Sequence, residues 1–294
     1  MAPDHNEMTN MQINATEVRD RAIGDIIREA NNLSAEQVEQ ILAVQKKRGV
    51  KFGEAAIQLG LAKREDVLWA LSQQFHYPYA VQGQKTLSKE LVVANNPFSD
   101  EAESFRDVRS QLISNVFHED THRALAVVSP SVGDGKSFFV ANLAVAFSQL
   151  GARTLLLDAD MRTPRQHDIF GLEPRAGLSG VLSGRSETNV IRPIKDLPSL
   201  YLLPVGTTPP NPLELVQGQG FNLLISELLL KFDYIIVDTP AAVHGSDGQV
   251  IAAKCGTALA VNRKHHSRVA AMKDMLSKMA RRSTRLAGVV LNEY

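Results

Sequence analysis

Apolar and polar positions follow two different periods along this chain. From Ala22 to Tyr79 the apolar residues recur at helical spacing, and the pattern repeats internally. Gly24-Asp25 returns as Gly53-Glu54, and Glu36, Val38, Leu42 and Gln45 return as Glu65, Val67, Leu71 and Gln74, each 29 residues later. Each copy reads as a short helix, a break (Asn31-Asn32, then Gly60) and a second amphipathic helix. Copies this small cannot bury their apolar faces alone, so the two are expected to pack together. Tyr77-Pro78-Tyr79 closes the unit. The polar, aperiodic residues 1–18 read as a disordered tail, 19–82 as the helical repeat, and 83–98, ending in Asn95-Asn96-Pro97-Phe98, as a linker.

From Ser99 to Tyr294 the period changes. Short apolar runs at Ala124–Val128, Thr154–Leu157, Leu200–Leu203, Tyr234–Val237, Ala258–Val261 and Ala287–Leu291 are separated by several helical segments. Continuous apolar strands alternating with helices predict an α/β domain, its mostly parallel sheet covered on both faces. Such sheets bind ligands at the C-terminal ends of their strands.

The first run ends at such a point. Ser129-Pro130-Ser131-Val132-Gly133-Asp134-Gly135-Lys136-Ser137 separates it from Phe138–Phe147, which reads as a helix packed on that strand. A glycine-rich turn of this kind directs backbone N–H groups of Gly133, Asp134, Gly135, Lys136, Ser137 and Phe138 toward one point, where the helix N-terminus adds a positive field. Lys136 can reach the β- and γ-phosphates of a nucleotide, and the Ser137 hydroxyl can bind Mg²⁺. Pro130 stands where the common phosphate-loop pattern has glycine. The strand before, the helix after and the acidic motifs downstream favour a P-loop NTPase over an ordinary exposed turn.

Composition narrows the setting. Lys+Arg and Asp+Glu both number 32, which argues against bulk nucleic acid or an anionic membrane as the main partner. Cys255 is the single cysteine, so no intramolecular disulfide can form; it reads as a small buried residue in a protein of a reducing cytoplasm. Met1–Glu7 is polar and does not read as a secretory signal, and no apolar run approaches the ~20 residues that cross a bilayer. Any membrane role is therefore expected to come through a partner.

Two further strands end in carboxylates. Leu155-Leu156-Leu157-Asp158-Ala159-Asp160-Met161-Arg162 places Asp158 and Asp160 two apart, able to face one ligand. Phe232-Asp233-Tyr234-Ile235-Ile236-Val237-Asp238-Thr239-Pro240 ends in a third. One such aspartate is weak evidence, since strand ends and helix caps often carry one. Three, beside a phosphate loop, can hold Mg²⁺ directly or through water and orient a nucleophile.

These motifs resemble those of the bacterial tyrosine kinases of polysaccharide export. The segments Gly177–Gly184, Gly206–Leu215 and Gly288–Asn292 fit the same family, so the resemblance runs from about residue 99 to the end. It is nearest to the soluble kinase partners of exopolysaccharide chain-length determinants. The resemblance implies an ATP- and Mg²⁺-dependent protein-tyrosine kinase, with Lys136 and Ser137 as nucleotide and metal ligands and Asp158 as base toward the tyrosine hydroxyl. Asp160 and Asp238 become metal-site carboxylates, and Arg162 a neighbour of the phosphates or the substrate. It also implies a membrane-embedded chain-length determinant protein as partner and a location at the inner face of the plasma membrane.

The family carries a Glu-x-x-Arg-x-x-Arg helix for ring assembly, matched here by Glu103, Arg106 and Arg109. Three-residue spacing puts them on one helical face, which fits a homo-oligomeric interface or a salt-bridged surface. The family's tail usually holds several tyrosines. Of the five tyrosines here, Tyr201 and Tyr234 lie in strands and Tyr77 and Tyr79 flank a proline. Tyr294 is therefore the expected phosphoacceptor, served by a neighbouring subunit.

The N-terminal repeat is similar to the N-terminal domain of type II secretion and pilus ATPases. Some relatives there bind cyclic di-GMP through an arginine before the glycine. Ala22-Ile23 and Lys51-Phe52 stand in its place, and Lys51 could substitute only as a point charge, which favours protein docking and leaves cyclic di-GMP binding as the lesser alternative. Two other functions compete with the kinase. One is a spatial-organising ATPase of the partition or septum-site class, which has a lysine five positions before the loop lysine, where this chain has Ser131. The other is a nucleotide-responsive scaffold that gates a membrane partner without phosphorylating it.

Overall fold

The structure, a computed structural model, describes residues 23–74, 88–117, 124–173, 175–185, 188–282 and 284–293. The disordered tail expected at 1–18, residues 83–87 of the expected linker, and Tyr77, Pro78, Tyr79 and Tyr294 lie outside the described residues. The chain divides into two compact units, Met1–Tyr79 and Ala80–Tyr294.

In the first unit four helices follow the repeat: α1 (Ile23–Ala30), α2 (Ala35–Arg48), α3 (Phe52–Gln58) and α4 (Arg64–Gln74). Ser34 opens α2 with a capping box to Gln37, and Gly49 closes it in the left-handed region. Ile26, Ile27, Ile41, Ala55, Ala56 and Ala70 form one core drawn from both copies. The repeated glycines differ in role. A Cβ on Gly53 would lie 2.5 Å from Val67 Cγ1, whereas one on Gly24 would make ordinary contact with Phe52 at 3.7 Å.

The second unit holds strands β1 (Ala124–Val128), β2 (Thr154–Asp158), β3 (Arg192–Ile194), β4 (Leu197–Leu203), β5 (Tyr234–Asp238), β6 (Gly256–Arg263) and β7 (Arg285–Asn292). They form one sheet in the order β3-β4-β2-β5-β1-β6-β7. Every pairing is parallel except β3 with β4. All six expected strands are present. The seventh, β3, reads Arg192-Pro193-Ile194 and carries no apolar run; proline is tolerated there because the strand lies at the sheet edge.

Alternation on the strands splits the interior into two cores. Leu125, Val127, Leu156, Ile236, Leu259 and Val261 face α5 (Val92–Asn95), α6 (Asp100–Asn115) and α7 (Lys136–Ser148). Ala124, Ala126, Leu155, Leu157, Ile235 and Val237 face α11 (Gln219–Leu229), α12 (Asp247–Cys255) and α13 (Val269–Ala280). Burial on both faces is why the strands read as unbroken apolar runs. The remaining helices, α8 (Gln166–Ile169), α9 (Leu178–Leu182) and α10 (Pro212–Gln217), are short.

Two expectations need correction. The helix after the phosphate loop begins at Lys136, two residues before Phe138, because Gly135 takes φ 84° and serves as its N-cap. Residues 88–98, expected as linker, pack into the domain. Leu91, Val93 and Ala94 are buried in the first core. Asn142, fully buried on α7, accepts from Val93 N at 3.0 Å and donates to Glu90 O at 2.8 Å. That partner lies 49 positions away in sequence, so the local pattern gave no sign of it.

Candidate functional site

The phosphate loop joins β1 to α7 between the C-terminal ends of β5 and β6. Gly133 and Gly135 have φ of 82° and 84°, in the left-handed region where a side chain would be strained. Asp134 is buried and braces the loop from within. Its Oδ2 accepts from Ser131 N at 2.8 Å and its Oδ1 from the Ser267 hydroxyl at 2.6 Å. His266, just after β6, donates from Nε2 to Val132 O at 3.0 Å, and Arg263, the last residue of β6, donates to Gly133 O at 3.3 Å. Asn292, at the end of β7, donates to Asp134 O at 3.3 Å. Beside the loop lies a cavity of about 790 Å³. It is lined by Gly133, Gly135, Lys136 and Ser137, by Phe105 of α6 and by Leu291 of β7.

Lys136, Asp158, Asp160 and Asp238 come together. Lys136 Nζ lies 3.2 Å from Asp238 Oδ1 and 3.6 Å from Asp160 Oδ2. All four side chains are buried. Burial alone would pull the Lys136 pKa down, but Asp238, Asp160, the hydrogen bond to Asp238 and Asp158 together raise it. Asp158 is pushed well above the ordinary carboxylate range, first by burial and then by Asp238 and Asp160; N–H donors from Gln166 and Asp160 only partly oppose this.

The two Asp160 oxygens are held by their own loop. Oδ1 accepts from Arg162 N and Thr163 N at 3.2 and 2.9 Å, and Oδ2 from the Thr163 hydroxyl at 2.9 Å. Among the described residues no group of three or more His, Cys, Asp or Glu side chains is placed to hold a metal by itself, and Lys136 lies between Asp160 and Asp238.

Arg162 turns to Asp247 of α12, making a forked pair at 2.6 and 3.2 Å that raises its pKa further. Phe138 packs edge-on to Phe105. On α6, Arg106 pairs with Glu103 and donates to Pro97 O, while Arg109 donates to Ala146 O near the end of α7 at 2.6 Å. Both arginines therefore act within the chain.

Several residues at the site escaped the sequence reading, Asp247, Glu90 and Gln166 among them. Asp247 receives Arg162. Glu90 pairs with Arg165 at 2.8 Å on the wall of the cavity. Gln166, fully buried, donates from Nε2 to Asp238 Oδ2 at 2.7 Å and to Ser137 O at 3.0 Å. Only the position of Gln166, eight residues past Asp158, could have drawn attention to it.

The family model of the CobQ/CobB/MinD/ParA nucleotide binding domain matches residues 125–294. CapB of Staphylococcus aureus, classed with the tyrosine-protein kinases, is 35% identical over 215 residues, spanning 71% of this chain and 91% of CapB. The tyrosine-protein kinase Wzc of Salmonella typhimurium is 31% identical over 204 residues, 69% of this chain but only 28% of Wzc. The kinase domain of the Escherichia coli tyrosine kinase Etk superposes with a TM-score of 0.67 at 27% identity, covering 72% of this chain and 82% of that domain. The conjunction of phosphate loop, paired strand-end carboxylates and these likenesses places the chain in the family of bacterial tyrosine-protein kinases, built on the CobQ/CobB/MinD/ParA nucleotide-binding fold.

Proposed function

We propose that the protein transfers the γ-phosphoryl group of ATP to a tyrosine hydroxyl, with Mg²⁺, and that this regulates exopolysaccharide chain length, polymerisation or export. The observation that carries the reading is the meeting of Lys136 with Asp158, Asp160 and Asp238 in one buried centre at the mouth of the phosphate loop.

The residues present fit the nucleotide. Two glycines hold the loop open for phosphate, and the adjacent cavity has room for base and ribose. Ser137 with Asp160 and Asp238 would hold magnesium together with phosphate oxygens, which is how that ion is usually bound. When bound, the ion neutralises charge on the phosphates. Lys136, already cationic and buried, meets the charge on the transferred group. We assign to Asp158 the role of base that takes the tyrosine proton as the new O–P bond forms and ADP leaves, which requires its ionised form. Arg162, tied to Asp247, holds the loop that carries Asp160.

Tyr294 is our proposed acceptor, reached by a neighbouring subunit. The intrachain bonds of Arg106 and Arg109 support a structural role for that helix, to which an interface role is added only by the family resemblance. We assign the partner as a membrane-embedded chain-length determinant, which would hold the chain at the inner face of the plasma membrane; among the described residues no helix is long and apolar enough to cross a membrane. The helical repeat, residues 19–82, is proposed as a secretion-ATPase-like docking module.

Incubating purified protein with ATP and Mg²⁺, with Lys136→Met as control, and probing for phosphotyrosine tests the reading. Phosphotyrosine in the parent and none in the variant is expected. Nucleotide binding without phosphotyrosine, even with the partner's cytoplasmic segment present, would replace the kinase with the scaffold.

A further inference from the structure

Gln166 has the geometry of a working residue. Its amide is fully buried, and the orientation is not ambiguous: Ser137 O and Asp238 Oδ2 are both acceptors, so the NH₂ end must face them. Its backbone N–H donates to Asp158 Oδ2 at 3.2 Å. One residue thus touches the first turn of α7, the aspartate that ends β5 and the aspartate that ends β2. Asp238 is held at both oxygens, by Lys136 on Oδ1 and by Gln166 on Oδ2.

The other end of the amide is unusual. Gln166 Oε1 is buried and accepts no hydrogen bond. An acceptor left without a donor in the interior is unfavourable, and buried polar atoms of this kind call for an explanation. No donor among the described residues reaches it, so a donor brought in with a ligand would satisfy it. Hydrated magnesium keeps several of its waters when it binds, and such waters are strong donors.

We propose that Gln166 is a positioning residue for the metal–nucleotide centre: its NH₂ holds the Asp238 carboxylate and the Ser137 turn together, and its Oε1 accepts from a water that enters with the divalent cation. This rests on the nucleotide-binding reading above. It makes a specific demand. Gln166 should matter for the gain in affinity that magnesium confers on a nucleotide, and much less for the nucleotide alone, which is held mainly by the loop and Lys136.

Calorimetric titration of the full chain with ADP, with and without Mg²⁺, tests this. For the parent protein the ratio of the two affinities measures the magnesium gain. Gln166→Met keeps the length and buried volume of the side chain but has neither donor nor acceptor; Gln166→Leu is the second variant should the first not fold. The expected result is a loss of about tenfold or more in the magnesium gain, with affinity for ADP alone within about twofold of the parent. Equal loss with and without magnesium would show a purely structural role and overturn the proposal, as would an unchanged ratio. Failure of the parent itself to bind ADP in either condition would instead remove the nucleotide reading on which the proposal stands.

Discussion

Asp158 and Asp238 occupy the same register position on neighbouring parallel strands, β2 and β5, and both are fully buried. The sheet thus sets two carboxylates side by side at its C-terminal edge, out of water. Lys136 and Gln166 hold Asp238, while Asp158 is left with N–H donors and no cation of its own within hydrogen-bonding range among the described residues. Burial first, and then the Asp238 charge alongside, explain why the Asp158 carboxyl is raised.

That shift makes stability depend on pH. In acid, below the unfolded carboxylate range, Asp158 is protonated in both folded and unfolded chains and costs nothing. As pH rises through the unfolded value toward the raised folded one, the unfolded chain releases the proton first and the fold loses stability. Asp158→Asn should therefore stabilise the nucleotide-free protein at pH 8, because it removes a carboxyl whose charged form burial and Asp238 disfavour. That advantage should shrink as pH falls and be gone below the unfolded carboxylate range, where only the cost of the lost N–H acceptor remains. Thermal unfolding of both proteins across that range checks this, and an equal or lower Tm for the variant at pH 8 would contradict it. Phosphotransfer should be lost in the same variant, and in the parent its rate should climb with pH through a titration above the ordinary carboxylate range.

Lys136→Met should abolish phosphotransfer, since losing a donor of this kind costs about 3–4 kcal/mol at the transition state. Removing the cation also strands Asp238 and Asp160. Breaking a buried pair from one side typically costs roughly 3–5 kcal/mol, so the variant should fold but melt early at neutral pH. A circular-dichroism melt that matches the parent at pH 7 would show that the ammonium does not stabilise the centre.

Arg162 and Asp247 should couple energetically. Their forked contact joins the loop after β2 to the start of α12, with Asp247 buried and Arg162 about one-third exposed. A double-mutant cycle with Arg162→Leu and Asp247→Asn, followed by urea unfolding, should give roughly 1–2 kcal/mol, below the value of a fully buried pair because water screens the arginine. Additive effects would mean that the pair does not hold the loop.

In the helical repeat, Gly53→Ala should destabilise by about 1–3 kcal/mol, because the new methyl meets Val67 at 2.5 Å. Gly24→Ala, at the equivalent place, should be nearly neutral or stabilising. Val67→Ala should partly rescue Gly53→Ala when both are made. Unequal behaviour of the two glycines is readable by thermal melts of the full chain, and equal tolerance would argue against the close packing of α3 on α4.

Much of the second unit was legible because its elements declare themselves locally. Strands buried on both faces must be apolar throughout, so Ala124–Val128, Thr154–Leu157 and Tyr234–Val237 stood out as runs. A phosphate loop needs glycine where φ is positive and lysine at the head of the helix, so its residues are adjacent in the chain. The repeat was legible for the same reason, since each copy carries its own helix breaks and caps. The strand β3 was not, because an edge strand needs neither apolar runs nor a full ladder.

What the amino-acid order by itself determined was therefore most of the elements, the loop and the three aspartates at or just past strand ends, because each rests on local spacing and on the backbone rules of short segments. The tertiary structure alone decided how these meet. It set Asp158 level with Asp238, turned Arg162 to Asp247, placed Gln166 between two strand ends and docked residues 90–94 on Asn142. Each of these depends on segments 49 to 85 positions apart, or on strands that are neighbours in the sheet but not in the chain. Long-range burial and register choose such partners, and no local period records them.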